Sequence, residues 1–94
     1  MQKQVLHPYI TMDRRISKGS PVIVGTRTRV LDIAIEYEYL GITPDKIVDA
    51  HPHLTLPQVH DALSFYYEHR DKLDREIRER KERIDGMRKN LAHE

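Results

Sequence analysis

The chain has no cysteine among its 94 residues. It therefore has no disulfide framework and no thiolate metal site, which suits a reducing compartment. It also has no long hydrophobic run. The opening "MQKQVLHPYITMDRR" lacks an apolar stretch of signal-peptide length, and no window approaches the ~20 apolar residues of a membrane span. Nor is there a charge excess of one sign, since 16 basic residues against 15 acidic ones leave +1. These absences predict a soluble cytoplasmic protein with no membrane partner. A length of 94 residues predicts one small core, marginal in size, with an appendage.

The distribution of charge is more informative than its sum. Residues 1–30 carry six cations against Asp13, net +5, and residues 31–67 carry Lys46 against six acids, net −5. Residues 68–94 carry nine basic and eight acidic residues, net +1. The chain is a basic head, an acidic middle and a balanced, densely charged tail.

In the head, "YITMD" and "RISKG" read as short extended pieces around a polar turn, and "PVIVG" as a β-branched strand between Pro21 and Gly25. "TRTRV" puts Arg27 and Arg29 on one face if it is extended. Together these predict a hairpin or three-stranded sheet too small to stand alone. From Val30 the period lengthens. Val30, Ile33, Ala34, Tyr37 and Leu40 predict a helix over about 30–40 with this face in the core, and Gly41 is its C-cap candidate. Thr43 and Pro44 open a short second helix, with Ile47, Val48 and Ala50 able to face a core. Thr55 is a good N-cap for a third, with Pro57 tolerated in its first turn. This order predicts a mainly α fold: an N-terminal β-hairpin, then a three-helix, helix-turn-helix-like bundle with a long C-terminal helical extension. The expected division is 1–69 for the hairpin and bundle and 70–94 for a charged amphipathic tail.

The third helix has no Gly or Pro breaker before Gly86. Alternating steps of three and four from Leu56 visit Val59, Leu63, Tyr66, Arg70, Leu73, Ile77, Arg80, Ile84, Met87 and Leu91. The stripe is apolar except at the two arginines. On other faces Glu68–Lys72, Asp71–Arg75, Asp74–Arg78, Glu76–Arg80 and Glu79–Arg83 place an acid four residues before a base. Leu73, Ile77, Ile84, Met87 and Leu91 fall beyond the expected core. Burying each is worth about 1.5–3 kcal/mol, so a partner or a second copy is expected to cover them. Arg70 and Arg80 are expected to set register by pairing with acids across the seam.

"GSPVIVGTRTRV", residues 19–30, concentrates turn residues and arginines beside an apolar triplet. It lacks the order of a Walker loop. One reading is a turn with Gly25 at positive φ and Thr26 bonding locally, in which Arg27 pairs with Asp32 or Glu36 and Arg29 is the freer arginine. The other is phosphate or base contact by Thr26, Arg27 and Arg29. In the third helix Thr55, Gln58 and His60 can meet a nucleic acid, while Asp61 would be repelled by it. His51 and His53 form a His-x-His pair without a third ligand brought close, so no metal and no cofactor are expected. Ser20 and Ser64 have no partner spacing for nucleophilic catalysis, and the chain does not read as an enzyme. Tyr37, Tyr66 and Tyr67 read as core or interface residues.

The block Gly19, Pro21, Val22, Ile23, Gly25, Thr26, Arg27 and Val30, followed by Gly41, Thr43 and Pro44 and then Pro52, Leu54 and Thr55, resembles a family of short bacterial and archaeal proteins catalogued as domain of unknown function 433. The likeness covers about residues 8–70. It implies a homeodomain-like helix-turn-helix fold after a hairpin. It also implies an antitoxin role, in which the partner is a PIN-like ribonuclease and the antitoxin can bind operator DNA. Thr28 and Arg29 depart from the aliphatic residue and proline common in the family, making this segment more cationic. The expected function is therefore a dimeric antitoxin. Its head meets DNA through Thr26, Arg27, Arg29, Thr55, Gln58 and His60. Its tail lays Leu73, Ile77, Arg80, Ile84, Met87 and Leu91 against the nuclease, with Arg80 reaching toward its acidic centre. The alternative is a self-associating interaction module that binds no nucleic acid.

Overall fold

A computed structural model describes residues 7–92, with side chains through Arg83. The chain is mainly helical, after a short antiparallel hairpin. Strand β1 (Ile10–Thr11) pairs with β2 (Val22–Ile23), Ile10 opposite Ile23 and Thr11 opposite Val22. "RISKG", expected to be extended, instead closes a left-handed turn at Ser17–Gly19, with φ of 51° and 58° at Ser17 and Lys18 and 88° at Gly19. Gly19 donates to the Ile16 carbonyl and Ser20 to that of Ser17, so the segment satisfies its own backbone rather than joining a sheet. The third extended piece shrinks to a single bridge between Val22 and Arg29.

Helix α1 (Val30–Ala34) buries Val30, Leu31, Ile33 and Ala34, then widens into a π-helical turn over Ile35–Tyr39. There the Leu40 amide reaches the Ile35 carbonyl at 3.0 Å, a bond spanning five residues. That extra residue per turn rotates the apolar face away from the core. Tyr37 and Leu40, expected inside, are consequently 36% and 64% exposed. Gly41, at φ 73°, ends the helix as expected, in a conformation other residues adopt at a cost. Helix α2 (Pro44–Ala50) is capped by Thr43, whose hydroxyl accepts from the Lys46 amide, and it buries Ile47 while Ala50 stays exposed.

Helix α3 (Leu56–Glu68) packs on both α1 and α2 through Val59, Ala62, Leu63 and Tyr66. It was expected to run on to Gly86. It stops at His69 (φ −122°, ψ 36°), and α4 (Arg70–Ala92) begins at once and continues through Gly86. No Gly or Pro marks this break. What it achieves is tertiary: α4 turns back along the bundle, leaving Leu73 1% and Ile77 5% exposed in the same cluster as Ile23, Ile33 and Tyr66. Leu73 and Ile77, expected beyond the core, are part of it. The first two turns of α4 thus share one core with the bundle.

The seam arginines do pair with acids, but within the chain. Arg70 bonds Glu38 at 3.1 Å and Asp74 at 3.3 Å, and its guanidinium lies 5.6 Å from the ring centres of Tyr66 and Tyr67. The five acid-then-base pairs do not close among the described residues: Asp74 turns inward, Glu68 meets His7 and Arg80 meets Asp32. Asp74 accepts from the hydroxyls of Tyr66 at 2.6 Å and Tyr39 at 3.1 Å, tying the π-turn, α3 and α4 together. Burial alone would raise the Asp74 carboxyl, but the Tyr66, Tyr39 and Arg70 donors outweigh it and hold it below its usual range. Burial and the same bond to Asp74 push the Tyr66 hydroxyl well up, while its bond to Glu38 pushes Tyr67 up to about 12. A lowered carboxyl stabilises the fold above its unfolded pKa, and that contribution disappears as pH falls through the folded value. Asp74→Ala, which leaves the buried Tyr66 hydroxyl without a partner, is expected to cost about 1–3 kcal/mol near neutral pH in urea titration. The gap from wild type is expected to narrow in acid, where the contribution of the lowered carboxyl is lost.

The core occupies one end of a molecule 56 × 32 × 23 Å in extent. Helix α4 accounts for most of the long axis, since its 23 residues span roughly 35 Å.

Candidate functional site around the Gly-Thr-Arg turn

The chain reverses sharply after β2. Gly25 takes φ 79°, a value open to it because it has no Cβ. Thr26 fastens the reversal, its hydroxyl donating to the Ile23 carbonyl at 2.8 Å and accepting from the Thr28 amide at 3.0 Å. This is the turn reading of residues 19–30, and it commits Thr26 to the backbone. The two arginines exchange the roles expected of them. Arg29, expected to be freer, binds Asp32 through Nε at 3.1 Å and a terminal nitrogen at 3.2 Å. Arg27, expected to pair with Asp32 or Glu36, is exposed and makes no ion pair among the described residues. The reason is local: Arg29 is the N-cap residue of α1, and Asp32 lies three positions on, within reach along the first turn.

Asp32 also accepts from Arg80 of α4 at 3.0 Å. One carboxylate therefore holds two guanidinium groups and joins the turn, α1 and α4. Arg80, expected to reach a partner, is engaged with the chain's own helix.

An open cleft of about 1030 Å³ lies beside the turn, bounded by Arg27, Thr28, Glu36, His51, His53 and Arg80. The two histidines of the His-x-His pair have separate partners. His51 Nε2 meets Glu36 at 2.9 Å, and His53 Nε2 meets the Thr28 hydroxyl at 3.1 Å. Their rings stand edge to face, 6.1 Å apart. Among the described residues no group of three ligating side chains converges on a metal position. The cleft offers hydroxyls, imidazoles and two guanidinium groups beside two carboxylates, with Ile16 and Ile35 as apolar wall.

The third-helix candidates are also divided. Thr55 and Gln58 close a capping box: the Thr55 amide donates to the Gln58 side chain at 2.8 Å, and the Gln58 amide to the Thr55 hydroxyl at 3.4 Å. Thr-x-x-Gln is itself the sequence signature of that motif, and it assigns both residues to the helix start. His60 is exposed. Asp61, expected to repel phosphate, is covered by the N-terminal segment, accepting from the Tyr9 amide at 3.0 Å and from His7 Nδ1 at 2.7 Å.

His7 is a residue the sequence did not single out, because its partners lie more than 50 positions away. Its other ring nitrogen meets Glu68 at 2.8 Å, and the ring packs edge-on against Phe65 at 5.2 Å. Burial alone lowers the imidazole, but the bonds and charges of Glu68 and Asp61 outweigh it and raise it above its ordinary value of 6.5. A raised imidazole stabilises the fold fully below its unfolded pKa, and the contribution is lost as pH rises through the folded value. His7→Gln is therefore expected to lower the thermal midpoint at about pH 6 and to match wild type at about pH 9.

Of the tail positions, Leu73 and Ile77 lie in the core and Arg80 is bound to Asp32. The side chains of Ile84, Met87 and Leu91 lie outside the described residues, though the helical backbone that carries them continues to Ala92. No helix among the described residues is long and apolar enough to cross a membrane.

The family described as protein of unknown function (DUF433) matches residues 10–66, from β1 through most of α3. The chain belongs to this family. No curated protein and no solved structure matches it. The matched span holds the hairpin, the Gly-Thr-Arg turn, α1, α2 and the capping box. It stops before α4, so the helix that completes the core lies outside the matched span.

Proposed function

We propose that this chain is a non-enzymatic, antitoxin-like regulator, cytoplasmic, that holds a PIN-like ribonuclease through the outer half of α4. The observation that carries the reading is the division of the α4 seam. Its inner positions, Leu73 and Ile77, are spent on the fold, and Arg80 is fastened to Asp32. The helix then runs on for twelve residues, and the seam spacing puts apolar residues at 84, 87 and 91 on one face. An amphipathic helix leaving a completed core is suited to a groove on another protein. We read α2 and α3, joined by a tight turn over residues 51–55, as a homeodomain-like pair, and this reading favours operator DNA as a second ligand. The exposed Arg27 and His60 are its contacts, with Thr26, Arg29, Thr55 and Gln58 shaping the backbone around them. A homodimer doubles the cationic surface, and covering Asp61 removes one source of repulsion.

The test uses the full chain as bait in extract of its native host, with released proteins assayed for ribonuclease activity. Recovery of a ribonuclease that is inhibited when rebound supports the reading. Recovery of the chain alone supports a self-associating module instead. For the DNA ligand, affinity that falls steeply with salt is expected, since phosphate contacts release counterions.

A further inference from the structure

A second cleft of about 380 Å³, sharing Arg80 with the first, lies between the left-handed turn at Ser17–Gly19 and α4. Five cations line it: Lys18 from the turn, Arg29 from the start of α1, and Lys72, Arg80 and Arg83 from α4. The acids facing it are Glu76 and Glu79. Asp32 answers Arg29 and Arg80, but neither Lys18 nor Lys72 has an acidic partner among the described residues. Five cations against Glu76, Glu79 and the shared Asp32 leave an excess of two positive charges, which favours an anion. Two further observations concern the same place. Ser17 and Lys18 hold positive φ without being glycine, which costs of order 1 kcal/mol each. Ser20, on the cleft wall, carries a buried hydroxyl without a hydrogen-bond partner.

We propose that this cleft binds a phosphate group, with Lys18, Lys72 and Arg83 as the groups that contact it and Arg29 and Arg80 held behind them by Asp32. The site needs neither a nuclease partner nor Arg27 and His60, so it stands apart from the antitoxin reading. The phosphate comes either from a small phosphorylated molecule or from a nucleic-acid backbone, which presents the same chemistry.

The test is a titration of the full-length ¹⁵N-labelled chain, read by amide shifts, with inorganic pyrophosphate and separately with a short DNA duplex, each against chloride at matched ionic strength. Saturable shifts are expected at Gly19 and Ser20 and around Lys72. Lys72→Gln, an exposed change that leaves the core alone, is expected to weaken binding roughly tenfold, the worth of one charged hydrogen bond. Glu79→Gln is expected to tighten it, which a purely structural role for these side chains would not produce. Saturation by pyrophosphate supports a small phosphorylated ligand. Shifts of the same amides by the duplex alone support a backbone phosphate. Silence with both ligands, or affinity unchanged by either substitution, overturns the proposal. Duplex shifts confined to the surroundings of Arg27 and His60 overturn it while leaving the antitoxin reading intact.

Discussion

Leu73→Ala is expected to destabilise the isolated chain by about 2–5 kcal/mol, through lost burial and the cavity left behind. Leu73 is 1% exposed and shares the core with Ile33, Val59 and Tyr66. A domain this small has about 5–15 kcal/mol in all, so the loss is a large fraction of the whole and the unfolding midpoint is expected to fall well below that of wild type. Urea titration of the isolated protein checks this. If Leu73 served only to meet a partner, the isolated variant would unfold with the wild-type midpoint. The same reasoning determines where the chain can be shortened. A cut after His69 removes Leu73 and Ile77 along with the tail, and the product is expected to lose cooperative unfolding.

The second large effect is expected at the other end of the same seam. Ile84→Asp, Met87→Asp and Leu91→Asp, combined, are expected to weaken the ribonuclease complex at least roughly a thousandfold. Three apolar side chains at about 1.5–3 kcal/mol each make up that loss, before the charges are counted. The isolated variant is expected to keep its stability to within about 0.5 kcal/mol, as surface changes outside the core usually do. Calorimetric titration and urea unfolding together separate the two quantities. Inner and outer seam positions should show opposite patterns: stability without a specific binding defect at 73, and binding without a stability defect at 84, 87 and 91.

The parts of this fold that were legible in the sequence are those set by local chemistry. Thr43 before Pro44, Thr55 before the third helix, and the glycines at 25 and 41 all do what their residue types dictate. The seam was legible too, because periodicity depends only on spacing, and Val59, Leu63 and Tyr66 are buried on it. What escaped was decided at longer range. The break at His69 carries no Gly or Pro, and it follows from the burial of Leu73 and Ile77 and the pairing of Arg70 with Glu38. The π-turn, which moves Leu40 into solvent, has no residue signature either. At the candidate site, the turn reading of Thr26 was legible because its bonds span two and three residues. The exchange between Arg27 and Arg29 is different, since the three-residue spacing of Arg29 and Asp32 was available and points to the observed pair. His7 had no local signal, its carboxylates arriving from α3 only after the chain has folded.

The division of the α4 seam at Arg80 is most directly tested by ribonuclease inhibition. The host ribonuclease recovered with the full chain would be assayed with wild type and with the Ile84→Asp, Met87→Asp, Leu91→Asp variant at equal concentration. The expected result is inhibition by wild type, none by the variant, and the same urea midpoint for both. Inhibition by the variant equal to that by wild type would contradict the account and return the partner surface to the bundle.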